Sequence, residues 1–126
     1  MALLAIVTQA VPLDYYIDMP LNHKNFAEDN RTFSMRYVVE DRYYNDPTMV
    51  NKTRPILFYA GNEGDIYSFY HNSGFITEHL ARKFGALVVF GEHRFFGESF
   101  PFPKDVALTY PYNTYLTVEN TLEDYI

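Results

Sequence analysis

The sequence predicts an α/β fold. Two continuous apolar runs carry that reading, Ile56-Leu57-Phe58-Tyr59-Ala60 and Ala86-Leu87-Val88-Val89-Phe90, each closed by a glycine. Runs that are apolar throughout, rather than alternating, suit strands buried on both faces, as in a parallel sheet. Between them Ile76, Leu80 and Phe84 recur at i, i+4 and i+8, with Asn72 or Ser73 to cap a helix and Gly85 to stop it. Strand, loop, helix and strand within roughly thirty residues make a βαβ unit.

The flanking segments are less regular. Residues 13–31 read as an irregular polar stretch. Thr32 to Tyr44, TFSMRYVVEDRYY, is rich in β-branched and aromatic residues and predicts one long strand or a bent pair, closed by the turn Asn45-Asp46-Pro47. Phe95 to Tyr115, rich in Pro, Tyr and Phe, reads as a long ordered loop. Thr117 then opens a helix with Glu119 in its first turn and Val118, Leu122 and Tyr125 along one side. Leu122, Tyr125 and Ile126 form an apolar stripe with no later strand here to lie on. The expectation is that residues 15–126 are an incomplete domain, the front part of a larger one. Residues 1–14 read as a signal remnant or a mobile end, because no Lys or Arg precedes the short apolar run Ala2–Val7.

Composition narrows the function. The chain has 126 residues and is 48% hydrophobic and 18% aromatic, enough for a core and too apolar for disorder. Its net charge of −6, with no Lys- or Arg-rich window, argues against a nucleic-acid partner. No stretch approaches the roughly 18 apolar residues of a membrane span. The absence of cysteine removes disulfides and thiolate metal sites from this stretch. His71 and His79 lack a metal-ligand spacing, so no metal is expected, and no cofactor motif occurs. The sequons at Asn30 and Asn51 lie in polar connecting segments and lean towards a secretory route as candidate glycosylation sites.

Two loops are candidates for chemistry. GNEGD, Gly61 to Asp65, follows a buried strand, and ligands in open α/β sheets gather at the carboxyl ends of strands. Gly61 and Gly64 permit close backbone approach to a ligand, while Asn62, Glu63 and Asp65 can orient neighbours. A tight turn with solvated acids explains the loop equally well. It is not a phosphate loop, since it lacks the G-K-[ST] ending. The second loop, GEHRFFGESFP, is one glycine short of the G-x-S-x-G nucleophile elbow. Nine residues separate Phe90 from Ser99, and Pro101 takes the second glycine's place, so Ser99 is not expected to be the nucleophile. Glu92, His93 and Arg94 instead suit a buried paired cluster that fixes its loop, with Gly97 supplying a bend and Phe95 and Phe96 anchoring it.

RPILFYAGNEGD, EHRFFGES with FPF after it, and TVENTLEDY together resemble the serine carboxypeptidase family that cleaves beside proline, which includes Pro-X carboxypeptidases and a dipeptidyl peptidase branch. The likeness runs from about residue 15 to 126 in register. Asn22-His23-Lys24 departs from the family's Asp-His-aromatic segment, and Asn120-Thr121 from its Gln-Ala. The resemblance implies the N-terminal portion of an α/β-hydrolase fold with a mostly parallel sheet, truncated before the nucleophile elbow. It implies that no catalytic Ser, Asp or His lies in this chain, and that the chain alone is inactive. Gly61, Asn62, Glu63, Gly64 and Asp65 would form the oxyanion-side loop, and Glu92, His93, Arg94, Gly97 and Ser99 an active-site wall. The implied partner is a peptide with proline near the scissile bond, no cofactor is implied, a family-type dimer is compatible, and the location is secreted or lysosomal. Three readings stay open at this level: a carboxypeptidase fragment, an aminodipeptidase fragment, and a non-catalytic binding protein that keeps the half-fold.

Overall fold

The computed structural model describes residues 11–126. The apolar run Ala2–Val7 lies outside the described residues. Four strands, β1 (Leu13–Pro20), β2 (Thr32–Glu40), β3 (Ile56–Ala60) and β4 (Leu87–Gly91), form one sheet in the order β1-β2-β4-β3. Three short helices follow from the remaining chain: α1 (Ile66–His71), α2 (Ala81–Phe84) and α3 (Val118–Glu123).

The sheet is mixed, which corrects the expectation of a mostly parallel one. β1 pairs with β2 antiparallel, from Leu13↔Val39 to Pro20↔Thr32, and β2 pairs with β4 antiparallel; only β3 and β4 run parallel. The connections explain this. Residues 21–31 between β1 and β2 contain a single turn of 3-10 helix, His23–Asn25, and are too short for a crossover, so the chain must reverse. The β3–β4 connection holds the helices and can return the chain in the same direction.

β1 itself corrects the reading of residues 13–31 as irregular, and it starts at Leu13, inside the segment taken as a leader or mobile end. Leu13, Tyr15, Tyr16 and Ile17 are all exposed, so the strand shows no alternation of buried and polar positions by which to detect it. β2 stops at Glu40, and residues 41–45 are turn rather than strand. β3 has the expected limits but is not buried on both faces. It lies at the sheet edge, with Ile56 66% and Phe58 49% exposed.

The helical segment begins earlier than its periodicity indicates. Asp65 caps α1, its Oδ1 accepting the Tyr67 N–H at 2.9 Å. Asn72 ends that helix rather than starting the next, donating its amide to Ser68 O, while the Ser73 hydroxyl donates to Phe69 O. These local bonds compete with the helical ladder and break it. The chain resumes as a π-helical turn, Phe75–Leu80, which runs into α2 and stops at Gly85, at φ 61. That left-handed cap is the glycine stop expected there.

One face of the sheet carries the core: Val38, Val88 and Phe90 pack with Ile66, Ala81 and Ala86, and Tyr59 stacks on Phe90 with ring centroids 4.7 Å apart. On the other face Ile17, Met19, Met35, Phe58 and Val89 border an open groove of about 280 Å³ that reaches Tyr125 and Ile126.

Candidate functional site

The carboxyl ends of the two parallel strands lie side by side. Gly61 N–H donates to Gly91 O at 2.9 Å, and any β-carbon at Gly61 would collide with that carbonyl. The glycine therefore sets how closely the loops after β3 and β4 approach. The Tyr125 hydroxyl, from just beyond α3, donates to Gly61 O at 3.2 Å. Burial pushes the Tyr125 phenol up, reinforced by the Asp124 carboxylate, so it stays a donor across the ordinary pH range. Within the loop Gly64 N–H donates to Asn62 O at 2.8 Å, and Asn62 Nδ2 donates to Tyr59 OH. Asn62 and Glu63 are exposed, and neither gives its backbone N–H to another described residue.

Glu92 is fully buried and joins three segments. Its Oε1 accepts from Arg36 Nη2 at 2.6 Å and Ile66 N–H at 3.0 Å. Its Oε2 accepts from the Ser99 hydroxyl at 2.7 Å and Glu98 N–H at 2.9 Å. A carboxylate offers about four lone-pair sites, and all four are taken. The same Arg36 Nη2 also reaches Asp65 Oδ2 at 2.7 Å, so one guanidinium from β2 links the β4 carboxylate to the cap of α1. Burial pushes the Arg36 guanidinium down, but its bonds to Glu92 and Asp65 outweigh that and raise it. For Asp65, burial raises the carboxyl, while Arg36 and the Tyr67 N–H outweigh it and hold it below the usual carboxylate range.

Ser99 sits inside this cluster. It is fully buried, its hydroxyl donates to Glu92, and its Oγ accepts the Arg36 N–H at 2.9 Å. No histidine among the described residues bonds to it, so no base is placed to activate it. Gly97 provides the bend at φ 56, and a β-carbon there would run into Glu92 Oε1. The loop also holds the buried Phe95 at a left-handed φ of 69, a conformation costly for an aromatic residue. Phe95 N–H donates to Ser99 O, closing the loop on itself.

A second buried cluster lies two residues on from Glu92, around Arg94. Arg94 Nε and Nη2 form a two-pronged bond to Asp124, both at 2.6 Å, and its remaining N–H groups reach Leu21 O, Tyr115 O and Pro20 O. All five guanidinium donors are satisfied, the condition for burying a charge of this kind. His23 Nε2 donates to Asp124 Oδ1 at 2.7 Å, and His23 N–H donates to Asn120 Oδ1. The polar side of α3, Asn120, Thr121 and Asp124, is thus the buried one, whereas Val118 and Leu122 are exposed.

His93 faces elsewhere. Its Nδ1 lies 2.7 Å from Arg94 O, a carbonyl that only accepts, so Nδ1 carries the proton. It borders a pocket of about 210 Å³ with Glu63, Leu116, Thr117 and Leu122. Asn30 and Asn51 are both exposed. No group of three or more candidate metal ligands occurs among the described residues, and no described helix is long and apolar enough to cross a membrane.

Sequence reasoning singled out both loops but missed what ties them together. Arg36, His23, Asp124 and Tyr125 were not picked as site residues. The one available signal was Arg36 itself, a lone charge in the middle of the apolar strand FSMRYVV. A charge at such a position needs a buried partner.

A mixed sheet in the order β1-β2-β4-β3, with two glycine-bearing loops abutting at the ends of its parallel strands, is consistent with an α/β-hydrolase-like domain. The family model described as serine carboxypeptidase S28 matches residues 21–126, and the chain belongs to that family. It is similar to the lysosomal Pro-X carboxypeptidase of Mus musculus, 40% identical over 110 residues, which cover 87% of this chain and 21% of the relative. The Homo sapiens protein of the same name is 37% identical over 110 residues, with the same coverage of 87% and 21%. The thymus-specific serine protease of Mus musculus is 36% identical over 92 residues, covering 73% of this chain and 17% of the relative. The chain therefore spans about a fifth of the length of the curated relatives it matches.

Proposed function

We propose that the chain forms the N-terminal part of a serine-type exopeptidase that hydrolyses peptide bonds after proline, in the manner its Pro-X carboxypeptidase relatives are named for. The observation that carries this is the abutment of the Gly61–Asp65 loop against the Glu92–Ser99 loop at the carboxyl ends of β3 and β4. That is where substrates bind in open α/β sheets.

In this reading a serine from outside these 126 residues attacks the carbonyl of the proline residue and the amine of the following residue leaves, with a histidine as general base and an acid to orient it. The piece in hand supplies the oxyanion side. The N–H groups of Asn62 and Glu63, which no described residue accepts, are free to face the developing negative charge. One such donor is worth about 3 kcal/mol of barrier. Glu92, Arg94, Gly97 and Ser99 form the rigid wall behind the loop, and His93, with Nδ1 protonated, borders a pocket together with Glu63. The chain by itself has no hydrolytic activity. Its relatives' names favour a lysosomal or secreted protein, and exposed Asn30 and Asn51 would then carry glycans.

The test is a comparison of two purified proteins: the 126-residue chain, and the chain extended by its downstream coding sequence. The extended protein is expected to release the residue after proline from a peptide with a free carboxyl terminus, and to be inactivated by a phosphonate. Release of an N-terminal dipeptide instead would assign it to the aminodipeptidase branch. Absence of any hydrolysis would favour the non-catalytic reading.

A further inference from the structure

The Gly61–Asp65 loop has little of its own to hold it in place. It makes one short internal bond, from Gly64 N–H to Asn62 O, and one side-chain bond, from Asn62 Nδ2 to Tyr59 OH, while Asn62 and Glu63 are exposed. Donors that stabilise a transition state must be held within about 0.5 Å of their working position. The rigidity has to come from the loop's two ends. At the first, Gly61 is pinned between Gly91 O and the Tyr125 hydroxyl. At the second, two bonds fix the entry to α1: Ile66 N–H to Glu92 Oε1, and Asp65 to Arg36, which itself is bonded to Glu92.

The geometry points to Glu92 as a positioning residue for the oxyanion-side loop, acting from a different strand through Ile66 N–H and through Arg36. The inference rests on the proposed peptidase reading for its catalytic consequence, though not for the mechanical link. Three features single out Glu92 among the buried acids. It is fully buried with all of its acceptor sites occupied by separate segments: β2, the first residue of α1, and the Glu98–Ser99 turn. Its own backbone is tied to β2, Glu92 N–H donating to Arg36 O at 3.0 Å, so the carboxylate cannot drift. And Gly97 is bare of a side chain where a β-carbon would displace that carboxylate. Buried Asp124, by contrast, serves Arg94 and His23 and makes no bond to the loop. Glu92 touches no substrate in this arrangement; it acts through the loop.

An isosteric Glu92→Gln change keeps at most two of the four contacts, because its single amide oxygen replaces only one carboxylate oxygen, the amide nitrogen cannot accept from an N–H, and the neutral side chain no longer neutralises Arg36. The experiment uses the extended protein and compares it with Glu92→Gln, Ser99→Ala and the core control Val38→Ala. Hydrogen exchange is read on peptides covering residues 61–67 and on β4. For Glu92→Gln the expected result is faster exchange confined to 61–67, with kcat lowered about 10- to 100-fold and KM within about 2-fold of the parent, since a displacement near 1 Å costs on that order. Ser99→Ala, which keeps the charge and removes one of the two bonds to Glu92 Oε2, should show the same pattern several-fold weaker, and it decides the question where Glu92→Gln does not fold. Val38→Ala should lower the melting temperature without the split between kcat and KM. Equal loss of turnover in Val38→Ala and Glu92→Gln, or unchanged exchange at 61–67 in both Glu92→Gln and Ser99→Ala, would overturn the proposal. If the parent protein hydrolyses nothing, the peptidase reading fails while the exchange data still judge Glu92.

Discussion

Ser99 stands in a near-miss of the nucleophile elbow, and its surroundings show what it does instead. Its hydroxyl bridges Glu92 and the Arg36 backbone inside a buried cluster. In an extended, active protein Ser99→Ala should therefore retain the full stoichiometric burst of acyl-enzyme in pre-steady-state kinetics, whatever its effect on rate; loss of the burst would make Ser99 the nucleophile. Gly97 two residues earlier combines a left-handed φ with contact against Glu92. Gly97→Ala should destabilise by roughly 1–3 kcal/mol, from backbone strain and a displaced carboxylate together, measurable as a lower denaturant midpoint at unchanged slope. At this scale the sequence was informative for residue types that need a partner and silent on who the partner is. Glu92 and Arg94 were expected to be buried and paired, but Arg36, His23 and Asp124 lie 29 to 101 positions from the groups they bond. No periodicity carries such distances.

Among the elements, α3 is the most instructive. Its cap was legible, Thr117 accepting from the Asn120 N–H. So was its apolar stripe as a side with no strand here to lie on, since Val118, Leu122 and Ile126 are exposed; what the sequence does not reveal is that the opposite, polar side is buried and anchored on Arg94. Breaking that anchor is costly: Arg94→Met leaves Asp124 buried with only His23, and should cost about 3–5 kcal/mol, read from chemical unfolding of the extended protein. β1 was missed since it exposes nearly all its side chains, whereas β3 and β4 were found from their unbroken apolar runs. The Gly61–Asp65 loop yields a pH prediction. The folded Asp65 carboxyl lies below its ordinary value, so its bond to Arg36 contributes stability above the unfolded carboxylate range and loses it as pH falls through the lowered folded value. Asp65→Asn should thus narrow the stability gap to the parent only in strong acid; a gap that vanishes already near neutral pH would contradict this sign. Deleting a residue from 61–65 should reduce turnover far more than the melting temperature, and equal losses would reduce the loop to a plain turn.

For the molecule as a whole, the α/β class was legible and the sheet's strand directions were not. Class follows from local patterns, while direction depends on whether a connection is long enough for a crossover, and that depends on finding β1. The resulting body has one covered face and one open one, with Ile17, Phe58 and Ile126 exposed beside the groove along Met35 and Val89. A sheet with so much apolar surface uncovered is a poor cooperative unit on its own. The 126-residue chain should accordingly melt broadly or associate, and a sharp monomeric transition would speak against an incomplete domain. The central claim is that this chain furnishes one wall of a cleft and takes its nucleophile from elsewhere. The most direct measurement is to treat both the 126-residue chain and its extended form with a prolyl phosphonate and map the adduct by mass spectrometry. The account predicts no adduct on the short chain and a single modified serine beyond Ile126 in the extended one; a phosphonylated Ser99 would contradict it.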